Sequence, residues 1–498
     1  MTTCNHSNAY LSKSLFIRGL QCHKSLYLQK YHPERKGEVS DEQEALFQVG
    51  FEVGEYAKQL FPGGIEIPYE ENNYAGQVEK TRAEIDKGIT TIYEAAFSYD
   101  NVFVKVDILH KGPKGWEIYE VKSSTEVKEV HLNDIAVQHY VVKGSGIKFS
   151  SASIVHINNE YMKQGTVEVD KLFAKEDVTK EVTVRQRTVK RELAKIRDML
   201  NGEIPVVDIG PHCDDPYECD FKGHCWRHIP ENSVFSLRGR GVDKFALYKK
   251  GIVRIGDIAI DKLNNGQRMQ VEAFLGKRAF IDPKAIKEFL DTIWYPLCFL
   301  DFETFQTPLP LYDNTWPYQQ VPFQYSLHYL ESPDAAMRHY EYLAEPNVDP
   351  VDKFLDSLIG QVPDGACVVA YNKTFETRVF NKVAPYFPKY RDSIAVIVQN
   401  MRDIAVPFRT KAYYSWLMKG SYSLKDVLPA MVPGLGYDGM EIADGGMAMD
   451  AYFAMCASDN PVEIEKIRKA LLEYCRLDTL AMVRLYVKLK EISSGCLP

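Results

Sequence analysis

The chain reads as a multi-domain α/β protein. Its length, its alternating strand-like and helix-like stretches, and the lack of a long apolar span lead there. It has 498 residues, 45% of them hydrophobic and 26% charged, which is material for about three domains with buried cores. That balance excludes wholesale disorder. No stretch approaches the ~20 apolar residues of a membrane helix, so no membrane partner is expected. Met1 to His6 lacks the charged-then-apolar pattern of a signal peptide, so the sequence predicts a cytoplasmic protein with reduced thiols. A net charge of −8 excludes histone-like binding by bulk charge, while leaving room for a basic groove beside acidic metal sites. There is no GxxxxGK[ST] run and no internal repeat, so no P-loop motor is expected.

The elements follow in order. Leu11 to about Ala75 is helical in pattern, with Glu42 to Phe61 running into Pro62-Gly63-Gly64. Ile89 to Ile157 turns strand-like. Val102 to Leu109 and Trp116 to Lys122 read as strands joined through Gly112-Pro113-Lys114-Gly115. Leu132 to Val142 reads as a helix, Ala152 to His156 as a strand, and Val184 to Leu200 as a charged helix leading into a cysteine-rich loop. These make a first domain over residues 1–232. Residues 233–293 form a helical connector, in which Leu247 to Ile258 loosely matches a helix-hairpin-helix turn whose amides could hold a phosphate. A second α/β domain covers 294–498, with strands at Trp294 to Glu303, Tyr325 to Leu330 and Ala366 to Tyr371. Its helices are expected at Asp352 to Ile359, Phe375 to Val383 and Val462 to Lys490, giving a sheet flanked by helices.

The chemistry-bearing residues fall into three sets. Asp301 and Glu303 close an apolar strand, where residues two apart share a face. Tyr474 and Asp478 are four apart in a helical pattern and are presented together. Glu376 opens a helix between them. Acids converging on one cleft repel unless cations neutralise them, and two divalent ions about 4 Å apart would also activate water for phosphodiester hydrolysis. In the first domain Asp107 lies on one strand and Glu120 with Lys122 share a face of the next. Carboxylates that hold a metal beside a cation that orients phosphate suit the same reaction; a hairpin with charged outward positions is the alternative. The third set is Cys213, Cys219 and Cys225 in one loop, with Cys22 far upstream and Cys4 as its substitute. Four thiolates suit a [4Fe–4S] cluster or tetrahedral zinc, and His212, His224 and His228 keep zinc open. Cys298, Cys367 and Cys475 lie in apolar patterns and read as core.

Two resemblances connect these sets. Asp301-Phe-Glu303, then Asn372…Phe375-Glu376, then Tyr474…Asp478 resembles the DnaQ-like (DEDD) 3′–5′ exonuclease superfamily, in the subclass with Tyr in its third motif. It covers Trp294 to Leu489. It implies an RNase H-like α/β domain in which Asp301, Glu303, Glu376 and Asp478 bind two Mg2+ or Mn2+ ions and Tyr474 positions the attacking water. Glu376 stands where the superfamily carries Asp. Asp107…Glu120-Val-Lys122, followed by Gln138-His-Tyr140, resembles the RecB-like PD-(D/E)XK nucleases of the CRISPR-associated iron–sulfur type. It implies a restriction-endonuclease-like mixed sheet, Asp107 and Glu120 as metal ligands, and Lys122 as catalytic. Gln138 and Tyr140 would steady the site or the DNA backbone, and Glu94 would be an additional acid. One cysteine before that core and three after it resembles the same nucleases, whose cluster staples the domain's ends; the gaps of five residues depart from the family's shorter first gap.

Together these imply a metal-dependent exonuclease with two sites, acting on single-stranded DNA in repair or defence, with a helicase partner for duplex. An RNA-processing exoribonuclease and a nucleic-acid-binding or redox scaffold with decayed sites are the alternatives. The helix bearing Arg185, Arg187, Lys190, Arg191, Lys195 and Arg197 could track a phosphate backbone or be a solvated face. Some of the 30 tyrosines could stack bases.

Overall fold

The computed structural model describes residues 10–38 and 41–495. Cys4 lies outside the described residues. The chain is mixed α/β and divides into two compact units: residues 1–228 with 307–318, and residues 229–306 with 319–498. The sequence-based connector, 233–293, groups with the second unit, and residues 307–318 group with the first.

The first unit is built on a mixed sheet of β1 (Leu11–Ser12), β2 (Ile65–Glu66), β3 (Thr91–Tyr99), β4 (Val102–Lys111), β5 (Trp116–Lys122), β6 (Phe149–Ile157) and β7 (Phe173–Asp177). The order is β2-β3-β4-β5-β6-β7, with β1 parallel to β4. β3, β4 and β5 are antiparallel, while β5 and β6 are parallel. Gly115 in the β4–β5 turn has φ +158°, and a Cβ there would collide with the Lys148 carbonyl. The helices are α1 (Lys13–Gln21), α2 (His23–Tyr31), α3 (Asp41–Ala57), α4 (Tyr74–Asp86), α5 (Glu129–Gly144) and α6 (Thr179–Leu200). One face of the sheet buries Val104, Val106 and Ile118 against Ile135, Val142 and Leu193 of α5 and α6. α5 is the crossover that two parallel neighbours require.

In the second unit, β8 (Ala279–Ile281) pairs with β14 (Tyr413–Ser415). The main sheet runs β11 (Arg338–Leu343), β10 (Val321–Leu330), β9 (Leu297–Phe305), β12 (Cys367–Ala370), β13 (Met401–Asp403). β9 is antiparallel to β10 and parallel to β12, and its continuous apolar run suits a strand covered on both faces. The helices used below are α7 (Asn265–Gly276), α8 (Pro283–Leu290), α9 (Val351–Gln361), α10 (Thr374–Val383), α11 (Leu424–Met431), α12 (Gly445–Ala457) and α13 (Pro461–Ser493). Asn460 caps α13 by accepting from the Val462 amide, with Pro461 in the first turn. Residues 233–293 are less helical than their pattern predicts: α7 and α8 are separated by β8, and the Leu247 to Ile258 stretch holds only the last three residues of a short helix, Lys244–Lys249, and a 3-10 turn. No described helix is long and apolar enough to cross a membrane.

Candidate functional sites

The first acidic site opens where β4 and β5 part. Their ladder ends at Ile108↔Tyr119. Two residues beyond Tyr119, the Val121 amide donates to Asp107 Oδ2 at 2.7 Å, so a side chain replaces the ladder acceptor. Glu120, only 1% exposed, sits beside it and is still held in β5 by pairing with β6. Glu94 lies in β3 between Tyr93↔Ile108 and Ala95↔Val106, with φ 53°. That left-handed kink places it opposite Asp107, where its Oε2 is 3.2 Å from Lys105 Nζ.

Two helices complete the site. α5 presents Asp134 and Gln138, four residues apart on one face. Gln138 Nε2 donates to Glu120 Oε2, while its own Oε1 is buried with no hydrogen-bond partner. Lys122 Nζ lies 2.7 Å from Glu120 Oε1 and 2.6 Å from Asp134 Oδ2. Lys13, at the start of α1, lies 2.8 Å from Glu120 Oε1. The sequence reading missed Lys13 and Asp134. Tyr140 stands apart and donates to Asp100 at 2.8 Å.

Electrostatics sets the acids apart. Burial, with Glu120 nearby, pushes Asp107 up to about 8, against the pull of Lys13 and Lys122. Burial acts on Glu120 in the same sense, but Lys122 and Lys13 hold its carboxyl well below the usual range. The lysines thus balance Glu120 from within the chain, while burial and Glu120 leave the Asp134 carboxyl raised against their pull.

The second site lacks such balance. Asp301 and Glu303 share a face of β9, and α13 presents Tyr474 and Asp478. Polar contacts pin α13 to the neighbouring β10: Thr479 Oγ1 lies 2.7 Å from Ser326 Oγ and 2.8 Å from His328 Nδ1, and Gln324 donates to the Leu471 carbonyl at 2.6 Å. One carboxylate oxygen from each of Asp301, Glu303 and Asp478 then falls within 4.8 Å of the others, the one such group of three or more acid, His or Cys ligands among the described residues. Gly445 at the start of α12 keeps the pocket open, since a Cβ there would stand 3.2 Å from Glu303 Oε2.

Glu376 is outside that group of three. Its helix, α10, starts after Asn372, whose backbone is left-handed (φ 63°) and whose amide donates to Asp403 Oδ1 at 2.9 Å. Asp403 is itself held by Arg409 at 2.8 Å. Glu376 is 2% exposed and its Oε2 has no hydrogen-bond partner. Burial, helped by Asp403 and Glu303, pushes it up to about 8. Burial and the Asp478 charge push Glu303 up to about 8, opposed by Lys425. Asp301 is raised by burial and by Asp478, Glu303 and Glu376. Burial takes Asp478 up to about 7, against hydrogen bonds from Tyr437 and Tyr474 and the charge of Lys425. Tyr437 and Lys425 were not read from the sequence. A buried carboxylate oxygen without a donor, beside three acids that resist ionising together, fits a hard divalent cation with oxygen ligands.

The four cysteines meet in a third place. Cys22 joins α1 to α2, ending the first and starting the second. Cys213 ends a 3-10 turn, the Cys219 amide donates to the Cys213 carbonyl at 2.9 Å, and Cys225 lies in a short helix. All four, with His212, line one cavity; His224 and His228 are not in that lining. Burial raises Cys22 and Cys225, and each is raised further by Cys219 and Cys213. No three of the sulfurs come within 4.8 Å of one another. Cys298, Cys367 and Cys475 are buried in β9, β12 and α13.

The basic helix is α6. Its apolar stripe of Val182, Val189, Leu193 and Ile196 is buried. Arg185 grips Glu129, Arg191 and Lys195 flank Glu192, and Arg197 meets Asp100. Arg187 and Lys190 are exposed.

Residues 298–423 match the model of a domain of unknown function, DUF2779. That segment contains Asp301, Glu303 and Glu376 and ends before Lys425. An uncharacterized protein of Mycoplasma genitalium is 24% identical over 242 residues, 45% of this chain and 36% of that protein. Its homolog in Mycoplasma pneumoniae is 23% identical over 240 residues, 43% of this chain and 36% of that protein. The match spans about a third of the length of these relatives.

Proposed function

We propose that the chain is a metal-dependent nuclease with two sites, hydrolysing phosphodiester bonds at the ends of single-stranded DNA. The observation that carries this reading is the group of Asp301, Glu303 and Asp478 oxygens within 4.8 Å of one another. Buried acids so placed ionise together only with positive charge among them, and Lys425 is the lysine that pulls on Glu303 and Asp478. Bound Mg2+ or Mn2+ would supply that charge, Lewis acidity and an activated water. Asp301, Glu303 and Asp478 would hold the ions, with Glu376 Oε2, which has no hydrogen-bond partner, as a fourth donor. Tyr474 and Tyr437 hold Asp478, and their phenols stay protonated because burial raises both.

In the first site Asp107 and Glu120 are the proposed ligands and Glu94 an outer acid. Lys122 orients the phosphate, and Gln138 fixes Glu120 through its amide. The β5-α5-β6 crossover beside an antiparallel β3-β4-β5 meander supports the resemblance to PD-(D/E)XK nucleases. The helix-flanked sheet centred on β9 supports the resemblance to DnaQ-like exonucleases.

For the four thiols the proposal is a [4Fe–4S] cluster. Tetrahedral zinc is the alternative, with His212 lining the same cavity. The cluster would tie Cys22, at the start of the unit, to the loop of Cys213, Cys219 and Cys225.

DNA repair or defence against foreign DNA, with a helicase partner to open duplex, is the proposed setting by analogy alone. The test is incubation of end-labelled deoxy- and ribo-homopolymers with Mg2+ or Mn2+. Shortening of DNA is the expected result. Shortening of RNA alone would replace the substrate, and no shortening of either would favour a binding scaffold.

A further inference from the structure

Lys13 has no part in the reaction proposed above, yet its ammonium reaches two acids of the first site. Its strand-to-helix start is fixed at both sides: β1 pairs with β4 through Leu11↔Val102 and Ser12↔Phe103, and Ser12 Oγ caps α1 by accepting from the Leu15 amide at 3.2 Å. The far end of α1 is anchored too. Gln21 Nε2 donates to the carbonyls of His212 and Tyr217 at 2.8 and 2.7 Å, and Arg18 pairs with Asp220 at 2.5 Å. The Lys13 ammonium is therefore delivered to Glu120 Oε1 at 2.8 Å and stands 3.8 Å from Asp134 Oδ2. Lys122 reaches the same two carboxylates from β5. Two cations thus bracket one acid pair.

We infer that Lys13 is a positioning residue of the first site, one that holds Glu120 and Asp134 in register with Lys122 and competes with a divalent cation for Glu120. Its effect on turnover rests on the nuclease reading of this site; its effect on cation binding rests on the charge arrangement alone. A positive charge touching a ligand carboxylate opposes a second cation there, so its removal strengthens metal binding. The same removal lets Glu120 leave the geometry that the reaction uses, which slows turnover. A residue that only supported the fold would not move these two quantities in opposite directions.

The test compares Lys13→Met and Lys13→Arg in an Asp301→Ala protein, where the second site is disabled. Mn2+ affinity is measured by calorimetry and cleavage of end-labelled single-stranded DNA by gel. Lys13→Met is expected to bind Mn2+ about tenfold more tightly and cleave about tenfold more slowly. Lys13→Arg is expected to stay near the parent in both. Unchanged or weaker Mn2+ binding in Lys13→Met would overturn the inference, as would a parent and variant that both fail to bind Mn2+. If Lys13→Met does not fold, Lys13→Gln makes the same comparison. A parent that binds Mn2+ but cleaves nothing overturns the nuclease reading instead, and the Mn2+ comparison still decides the role of Lys13.

Discussion

Tyr437 donates a hydrogen bond through its phenol to Oδ1 of Asp478, 41 positions further along the chain. Its ring also lies 6.2 Å, centroid to centroid, from that of Tyr474, which comes from the same helix as Asp478. Two tyrosines from different segments thus hold one carboxylate.

Tyr437→Phe removes one of those holds and keeps the ring. A hydrogen bond to a charged group contributes about 1.5–3 kcal/mol, so kcat at the second site should fall roughly tenfold to a hundredfold. Measured in a Lys122→Ala background, an unchanged kcat would remove Tyr437 from the site.

Stability without metal should fall as pH rises. Asp107, Glu303 and Glu376 are pushed up to about 8 and Asp478 to about 7, whereas in the unfolded chain such groups titrate near 4. Between those values the folded protein binds more protons than the unfolded one, so stability declines from about pH 4 to pH 8. Saturating Mg2+ should flatten the decline, because a bound cation favours the ionised acids. Melting curves in chelator and in Mg2+ across that range check both parts; a rise in the melting temperature of the metal-free protein over it would contradict the burial argument.

Cys219→Ser should remove the brown colour of a cluster and lower solubility. Because Cys22 follows α1 directly and Gln21 binds the thiol loop, it should also slow cleavage at the first site more than at the second. Anaerobically purified wild type that is colourless and contains zinc would contradict the cluster.

Much of this was legible because short-range periodicity carried it. Asp301 and Glu303 share a strand face, and Tyr474 and Asp478 a helix face, by spacing alone. Glu120 and Lys122 were read the same way. The missed residues are those whose placement depends on distant chain. Lys13 meets Glu120 across 107 positions, and Tyr437 lies in a loop that has no period to read. Asp134 was within reach, being one turn before Gln138 on α5. β8 and β14 are three residues each and exist through their pairing with each other, so neither leaves a strand pattern. Residues 307–318 read as a continuation of the second domain, yet Tyr318 donates to the Ser123 carbonyl and Lys163 meets Asp313 at 2.9 Å within the first unit.

The most direct measurement is digestion of end-labelled single-stranded DNA with Mn2+ by wild type, Lys122→Ala, Asp301→Ala and the double variant. The two-site account predicts that each single variant loses a different part of the product pattern and that the double variant leaves the DNA intact. Wild-type cleavage by the double variant, or identical residual products from the two single variants, would contradict it.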